Sequence, residues 1–568
     1  MVLRDLYQEE LVKLRELGAE FSRDNPALAP MLGAKGDDPD VERLLEGVAF
    51  LSSLTRRTLA EGFPELIQAL TRMVFPAALL PIPSATIIAF QTARGFMEPI
   101  KAPAGTALAS NPVAGVSARF TTTTPMTILP AAVTEVKLEE GRTGEATVSL
   151  TIGSSAPLGR WLPNSLNIHL AGDYPEASER WRVLLRKTVA VEVEAQGQTL
   201  RLGPESVQPS GFGPGEKALP NQSLLAFNLV QEYFVMPWKL LFLRVEGLAA
   251  LASDPSQKLT LKFRLANLTA PLSPAGPRNF LLNAAPAINV FPHPAHPLVV
   301  DHRRDEYPLR PQDQAAEKLE IYSVDAVTAI TQTGQTKKYA PFESFFREAD
   351  GFYRVIRRVS PTTSRPEHFL SLIYYQGQNM VPETLSVSLR CHNGSLIDSL
   401  RTGEICDPTD TSPAMVTFAN IIPPTRAIPP LGHDWQMWRL VSHLNVNLMP
   451  ELTTQGLREI LGLHARPNDP DIGRALSNRK RLEAIQDLTS KREDIFVKGL
   501  PYRGSLVELT LDPAGFASAG DLVLFGETLD NFFALFHQIN AYSRLKINVK
   551  GGGETLTWPP RLGLRRLV

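Results

Sequence analysis

Residues 74–90 read Val74-Phe75-Pro76-Ala77-Ala78-Leu79-Leu80-Pro81-Ile82-Pro83-Ser84-Ala85-Thr86-Ile87-Ile88-Ala89-Phe90. Three prolines break an otherwise apolar run, and the pattern differs on its two sides. Upstream, apolar residues recur every three or four positions, the period of a helix. Downstream, from Ala85, short β-prone runs sit between turn residues. The switch predicts an α+β, multidomain chain. A helical N-terminal segment comes first, then β-rich domains, then a mixed α+β C-terminal domain.

On the helical side, Leu3, Tyr7, Leu11, Leu14, Leu17 and Phe21 form one stripe among Glu9, Glu10, Lys13, Arg15, Glu16 and Glu20. Tyr7, Leu11, Leu14 and Phe21 share a face, and Gly18 lies on that seam, where it permits close approach. A lone helix of this length is marginal in water. Its face must therefore be buried, in its own domain or in a bundle with partner helices. Tyr7, Leu11, Leu14, Gly18 and Phe21 are the candidate interface. Pro26, Pro30, Gly33 and Gly36 separate this helix from a second, opening at Asp38-Pro39. The second carries Val41, Leu44, Leu45, Val48, Leu51 and Leu54 and is expected to stop near Gly62. Pro64 is expected to start a third, ended by Pro76.

On the other side, strands are expected at Thr86–Phe90, Ala146–Ile152, Val189–Val193, Lys239–Val245, Leu259–Leu265 and Leu385–Leu389. Pro423-Pro424 and Pro429-Pro430 bracket an expected linker. Further on, Trp435–Leu448 and Gln455–Leu463 suit helices, and Leu506–Leu511, Asp521–Phe525 and Leu545–Val549 suit strands. Leu529, Phe532, Phe533, Phe536 and Ile539 make an aromatic helical stripe. The expected division is 1–80 helical, 81–300 β-rich, 301–430 a second β-rich domain and 431–568 α+β.

Composition narrows the function. At 568 residues the chain suits three to four domains. It is 43 % hydrophobic and 21 % charged with a net charge of −1, which gives no electrostatic case for nucleic acid or anionic membrane. The 47 prolines, about 8 % against a usual ~5 %, punctuate many short elements. Two cysteines, Cys391 and Cys406, argue against a disulfide framework and for a reducing compartment. The charged N-terminus has no signal-peptide core, and no apolar run suits a membrane span, so a cytoplasmic location is expected.

Chemistry is harder to find. His293, His296 and His302 lie close in sequence beside Asp301, Asp305 and Glu306, and such side chains bind metals. Pro292, Pro294 and Pro297 interleave them, which keeps a helix from presenting all three on one face. Cys391-His392-Asn393 evokes a thiol protease, but such partners meet in space rather than in order. Gly211, Gly213, Gly215 and Lys217 resemble a phosphate loop, without the strand–loop–helix frame of one. Arg303-Arg304, Arg354–Arg358 and Arg561–Arg566 are short basic clusters offset by acids. Neither a Gly-x-Ser-x-Gly elbow nor a His-Glu-x-x-His helix occurs.

Resemblance goes further than spacing. Tyr7-Gln8-Glu9-Glu10-Leu11, Leu14-Arg15-Glu16-Leu17-Gly18-Ala19-Glu20-Phe21 and Val41-Glu42-Arg43-Leu44-Leu45-Glu46-Gly47 resemble the start of TssF proteins. Phe63-Pro64-Glu65-Leu66, Pro81-Ile82-Pro83-Ser84 and Arg119-Phe120-Thr121-Thr122 follow in the family's order. Gln231-Glu232-Tyr233-Phe234 with Pro237, Lys239 and Phe242 is among its most distinctive signatures. Then come Pro286-Ala287-Ile288-Asn289-Val290-Phe291, Asp301-His302-Arg303, Cys391-His392-Asn393-Gly394, Trp438-Arg439-Leu440 and Trp558-Pro559-Pro560. Phe75-Pro76-Ala77-Ala78 departs from the family's aromatic and histidine residues there, and Asn445-Val446-Asn447-Leu448 is a loose match.

The resemblance implies a scaffold, similar to wedge subunits of contractile phage baseplates. Two copies would join one TssG, with TssE on the sheath side and TssK linking toward the membrane complex. Six wedges would surround the VgrG hub and carry the Hcp tube and contractile sheath. It implies no catalytic residues, cofactor, metal, nucleic acid or small-molecule substrate, a place peripheral to the inner membrane, and a helix bundle with partners at Tyr7, Leu11, Leu14, Gly18 and Phe21. The competing reading is a metal-dependent hydrolase centred on His293, His296 and His302.

Overall fold

The computed structural model describes residues 3–24, 39–74, 76–431, 437 and 452–563. Short internal stretches are excepted: 94, 142–143, 196–197, 221–224, 252–253, 313–317, 332–333, 343–348, 361–364, 375–381, 498–499, 535–536, 538–540 and 552–553. The chain forms two compact units. One comprises 1–75 with 432–444, and the other 76–431 with 445–568.

In the first unit, α1 (Leu3–Asp24) packs on α2 (Pro39–Val74). Arg15 Nη2 reaches Glu42 Oε2 at 2.8 Å across the pair. Helix α2 is continuous for 36 residues, so the expected break between Gly62 and Pro64 does not occur. The apolar repeat continues through the proline as Leu66, Leu70 and Val74. A helix anchored on both sides tolerates the one backbone donor that proline removes. The expected helix Trp435–Leu448 lies outside the described residues apart from Met437.

The second unit is built from sheets. A six-stranded antiparallel sheet places Ala85–Thr92 between Ala284–Ile288 and Val416–Asn420. Alternate residues Ile88 and Phe90 point into a core with Phe120, Ile128, Ala285 and Phe418. A five-stranded sheet runs Gln198–Leu202, Thr188–Ala195, Lys258–Leu265, Ala146–Ser154, Ala131–Glu140. A four-stranded one runs Val207–Ser210, Phe242–Glu246, Ser165–Leu170, Phe280–Leu281. An eight-stranded sheet spans Phe291–Pro294 to Glu383–His392. The last sheet pairs Leu500–Leu511 with Ala541–Val549 in parallel.

Among the described residues, five longer helices accompany these sheets: α3 (Tyr174–Arg186), α4 (Leu225–Val235), α5 (Thr454–His464), α6 (Ile472–Glu483) and α7 (Ala519–Ala534). The architecture is multidomain α+β. Helix α7 is the crossover between the two parallel strands, as parallel pairing requires. It corrects the expected strand Asp521–Phe525. Every residue from Gly520 to Ala534 is buried, charged Asp521, Glu527 and Asp530 included, so no wet face marks the helical period over Asp521–Phe525. Likewise Lys239 and Leu240 end a 3₁₀ turn, Pro237–Leu240, and the strand begins at Phe242.

The proline-bracketed segment 423–430 is not a loose linker. Ile82 and Ile428 exchange backbone hydrogen bonds at 2.8 and 2.9 Å, and Thr425 N–H donates to Ala85 O at 2.9 Å. Arg466 donates to the carbonyls of Ala78 and Ala77 at 3.1 and 3.0 Å, and Asn468 to those of Pro429 and Pro430. Proline forbids a long ladder here, but isolated bonds and buried Ile428 still fix the segment.

Candidate functional site

On α1, the five residues singled out from the sequence divide. Tyr7, Leu11, Leu14 and Gly18 are half-buried on the helix that packs against α2, whereas Phe21 is 52 % exposed. Helix α2 buries Ala49 and Ser53 and half-buries Val41 and Leu45. A different α2 stripe remains outward. Leu44 is 69 % exposed, Val48 47 % and Leu51 64 %, at spacings of four and three, and Leu17 on α1 is 60 % exposed. Three large apolar residues in helical register on an exposed face mark a surface suited to another protein. The sequence contains this signal, since α2 carries more apolar positions than one contact face needs.

The motif Gln231-Glu232-Tyr233-Phe234 lies on α4 and is buried throughout. Tyr233 Oη donates to Asp521 Oδ1 at 2.8 Å, and Tyr174 Oη donates to the same oxygen at 2.6 Å. Arg481 grips the other oxygen, with Nε at 3.1 Å and Nη2 at 3.0 Å. Asp521 thus unites α3, α4, α6 and α7 in one satisfied network, the condition under which a buried charge is tolerated. Burial holds both phenols well above their usual range, so they stay donors. Tyr233, Arg481 and Asp521 are buried and Tyr174 is half-buried at the edge, and the network's role is to hold four helices in register.

Cys391-His392-Asn393-Gly394 ends a strand of the eight-stranded sheet. Asn393 N–H donates to Asn289 Oδ1 at 2.8 Å, and Asn289 Nδ2 donates back to Asn393 Oδ1 at 2.8 Å. Arg119 N–H also donates to that oxygen, at 3.1 Å. The motif is a joint between chain segments. Burial pushes the Cys391 thiol up to about 12. Burial and nearby Arg357 push the His392 ring down to about 4. A protonated thiol beside a neutral ring is not an activated nucleophile.

The three histidines go separate ways. His293 Nε2 lies 3.2 Å from Gln312 O, His296 N–H donates to Arg310 O, and the His302 ring stands edge-on to Tyr374. Among the described residues no three His, Cys, Asp or Glu side chains converge as metal ligands would. In the glycine loop, the Gly211 and Gly213 N–H groups both donate to Glu216 Oε2 at 2.9 Å. The amides that a phosphate would need are already taken. In the basic clusters, Arg358 is bidentate to Glu306 at 2.7 and 2.8 Å, and Arg561 Nε binds Asp530 at 2.6 Å. Among the described residues no helix is long and apolar enough to cross a membrane.

These features define a large multi-sheet α+β protein in which the motifs Gln231–Phe234 and Cys391–Gly394 are buried as framework. The sequence model of the family "Type VI secretion system, TssF" matches residues 2–565, and the chain belongs to that family. It is 25 % identical over 629 aligned residues to the type VI secretion system component TssF1 of Pseudomonas aeruginosa, with 99 % of each chain covered. It is similar to a chain of a TssK-TssF-TssG baseplate subcomplex seen by cryo-electron microscopy. That likeness has a TM-score of 0.77 and 27 % identity over 92 % of this chain and 99 % of that one. A chain of the baseplate complex from the type VI secretion system shares the fold, at a TM-score of 0.66 and 23 % identity over the full length of both.

Proposed function

We propose that this chain is a structural subunit of a type VI secretion baseplate and not an enzyme. Two copies assemble with one TssG, and with TssE and TssK, into a wedge. Six wedges surround the VgrG hub and support growth of the Hcp tube and contractile sheath, at the cytoplasmic side of the inner membrane and in indirect contact with the membrane complex. The observation that carries this reading is the likeness, over almost the full length of both chains, to a protein within a TssK-TssF-TssG baseplate subcomplex. The buried motifs support it, since framework residues and outward helical stripes suit a scaffold.

Native mass spectrometry of the co-expressed proteins tests the stoichiometry. A two-to-one complex with TssG is expected; a one-to-one complex or a chain that ignores TssG would overturn it. The candidate interface at Tyr7, Leu11, Leu14, Gly18 and Phe21 is tested with Leu11→Asp and Leu14→Asp together. A variant that stays folded but fails to capture TssG supports a partner bundle. Early melting of the isolated chain assigns the face to the α1–α2 contact instead.

A further inference from the structure

We propose that the groove beside the strand Ser165–Leu170 receives an extended, acidic segment of a different baseplate chain, which joins that strand as an added β-strand. The inference rests on the baseplate reading above.

The groove has a volume of about 740 Å³ and lies against Ser165–Asn167 on one wall and the two-stranded ribbon Ile100–Ala102 and Met126–Ile128 on another. The strand Ser165–Leu170 is paired on one side from Ser165 to His169 with Phe242–Glu246. On the other side, Phe280–Leu281 meets only Leu170 and His169. Beyond Leu281 the chain turns away, and the Asn283 side chain bonds both the N–H and the C=O of Leu129 at 2.8 Å. The Leu170 N–H donates to Leu241 O. Strand alternation therefore turns the backbone groups of Asn167 and Ser165 to the vacated side. An unpaired edge of this kind is a template for another strand.

The side chains specify the charge of the occupant. Arg244 is fixed by Asn167 Oδ1 at 3.1 Å, Ser210 Oγ at 3.2 Å and Glu216 Oε1 at 2.6 Å. Its Nη1 has no partner among the described residues. Lys101, exposed on the ribbon, has no ammonium partner among them either. Glu216, the one carboxylate among the groove's lining residues, is committed to Arg244, Ser210, Gly211 and Gly213. Lys239 is committed to Glu232. What remains is two cationic donors, which a carboxylate complements. Met126, Phe242 and Pro286 supply apolar wall for the alternate side chains.

The test uses the assembled complex of the full chain with TssG and TssK. The photo-crosslinker p-benzoylphenylalanine replaces Thr127, an exposed residue of the ribbon that lines the groove, the complex is irradiated, and the joined peptide is sequenced by mass spectrometry. The expected result is a crosslink to one TssG or TssK segment that contains Asp or Glu. Lys101→Glu should lower its yield about tenfold, with recovery when the partner's acidic residue is changed to Lys. Lys101→Ala, at an exposed position, separates loss of charge from loss of fold through an unchanged melting transition. No crosslink in a complex that has formed, a crosslink indifferent to Lys101, or one to a second copy of this chain would overturn the proposal. Failure of the wild-type chain to assemble with TssG and TssK would sink the baseplate reading, and this inference with it.

Discussion

Lys239 Nζ lies 2.6 Å from Glu232 Oε2, with the two side chains only 1 % and 0 % exposed. The lysine also donates to Gly211 O at 2.6 Å, and the other carboxylate oxygen accepts from the N–H groups of Ala218 and Leu219. The pair ties α4 to two loops. Lys239→Met leaves a buried carboxylate without its counter-charge and should cost about 3–5 kcal/mol. Glu232→Gln combined with Lys239→Met should recover part of that. Urea unfolding of the three proteins measures both, and equal losses in the single and double variants would remove charge pairing as the source.

The Asp530 carboxyl predicts a pH dependence. Oδ2 accepts from Arg561, but Oδ1 is buried without a partner, and burial lifts the group to about 6. Its value is higher folded than unfolded, so from about pH 4 to about pH 6 the unfolded chain ionises first and stability falls as pH rises. Below that window both states are protonated, and above it both are ionised. Asp530→Asn should remove this falling contribution, so across that window the variant's unfolding free energy should fall less, or rise more, with pH than the wild type's. Carboxylates held below their usual range, such as Glu216, contribute with the opposite sign and cancel in the comparison. A wild-type and variant pair with the same slope would contradict the assignment.

Two glycines should respond oppositely to alanine. A Cβ on Gly520 of α7 would overlap the backbone of Ser178 and Glu179 in α3, so the helices touch there because a side chain is missing. Gly520→Ala should cost about 1–3 kcal/mol or more, since backbone yields poorly. Gly47 on α2 has nothing within 4 Å of such an atom. Gly47→Ala should gain about 0.5–1 kcal/mol from helix propensity. Thermal melts followed by circular dichroism read both signs.

The outward face of α2 should matter to assembly and not to folding. Leu44→Glu with Val48→Glu changes two exposed positions. The melting transition should move little, because surface substitutions usually change stability by less than about 0.5 kcal/mol. Capture of TssG on an affinity resin should fall sharply. Undiminished capture by the folded variant would exclude this stripe as the contact.

Much of the fold is legible in the sequence where one face of an element is wet. The α1 stripe and strands such as Leu385–Leu389, which alternates buried and exposed, show their period plainly. Legibility fails where burial is complete or contacts are distant. Asp521–Phe525 looks like a buried strand because no solvent face exists to reveal the helix. Segment 423–430 looks like a linker because its partners, Ile82 and Ala85, are far away in sequence. The motif at Gln231–Phe234 reveals the family without revealing that it is framework. Glu232 and Tyr233 have the residue types of a catalytic site, and only their buried partners show otherwise.

The central strand Ala85–Thr92 needs neighbours from both Ala284–Ile288 and Val416–Asn420. Thr86 Oγ1 bonds Ile422 O, 336 residues onward. A ribosome adding roughly 5–20 residues per second takes about 15–70 s to make that stretch. Until then the newborn chain displays an unpaired edge along Ala85, Thr86, Ile87, Ile88, Ala89 and Phe90, a sticky six-residue stretch without a charge. Production of this protein is therefore exposed to mispairing during its own translation, and slower synthesis lengthens the exposure.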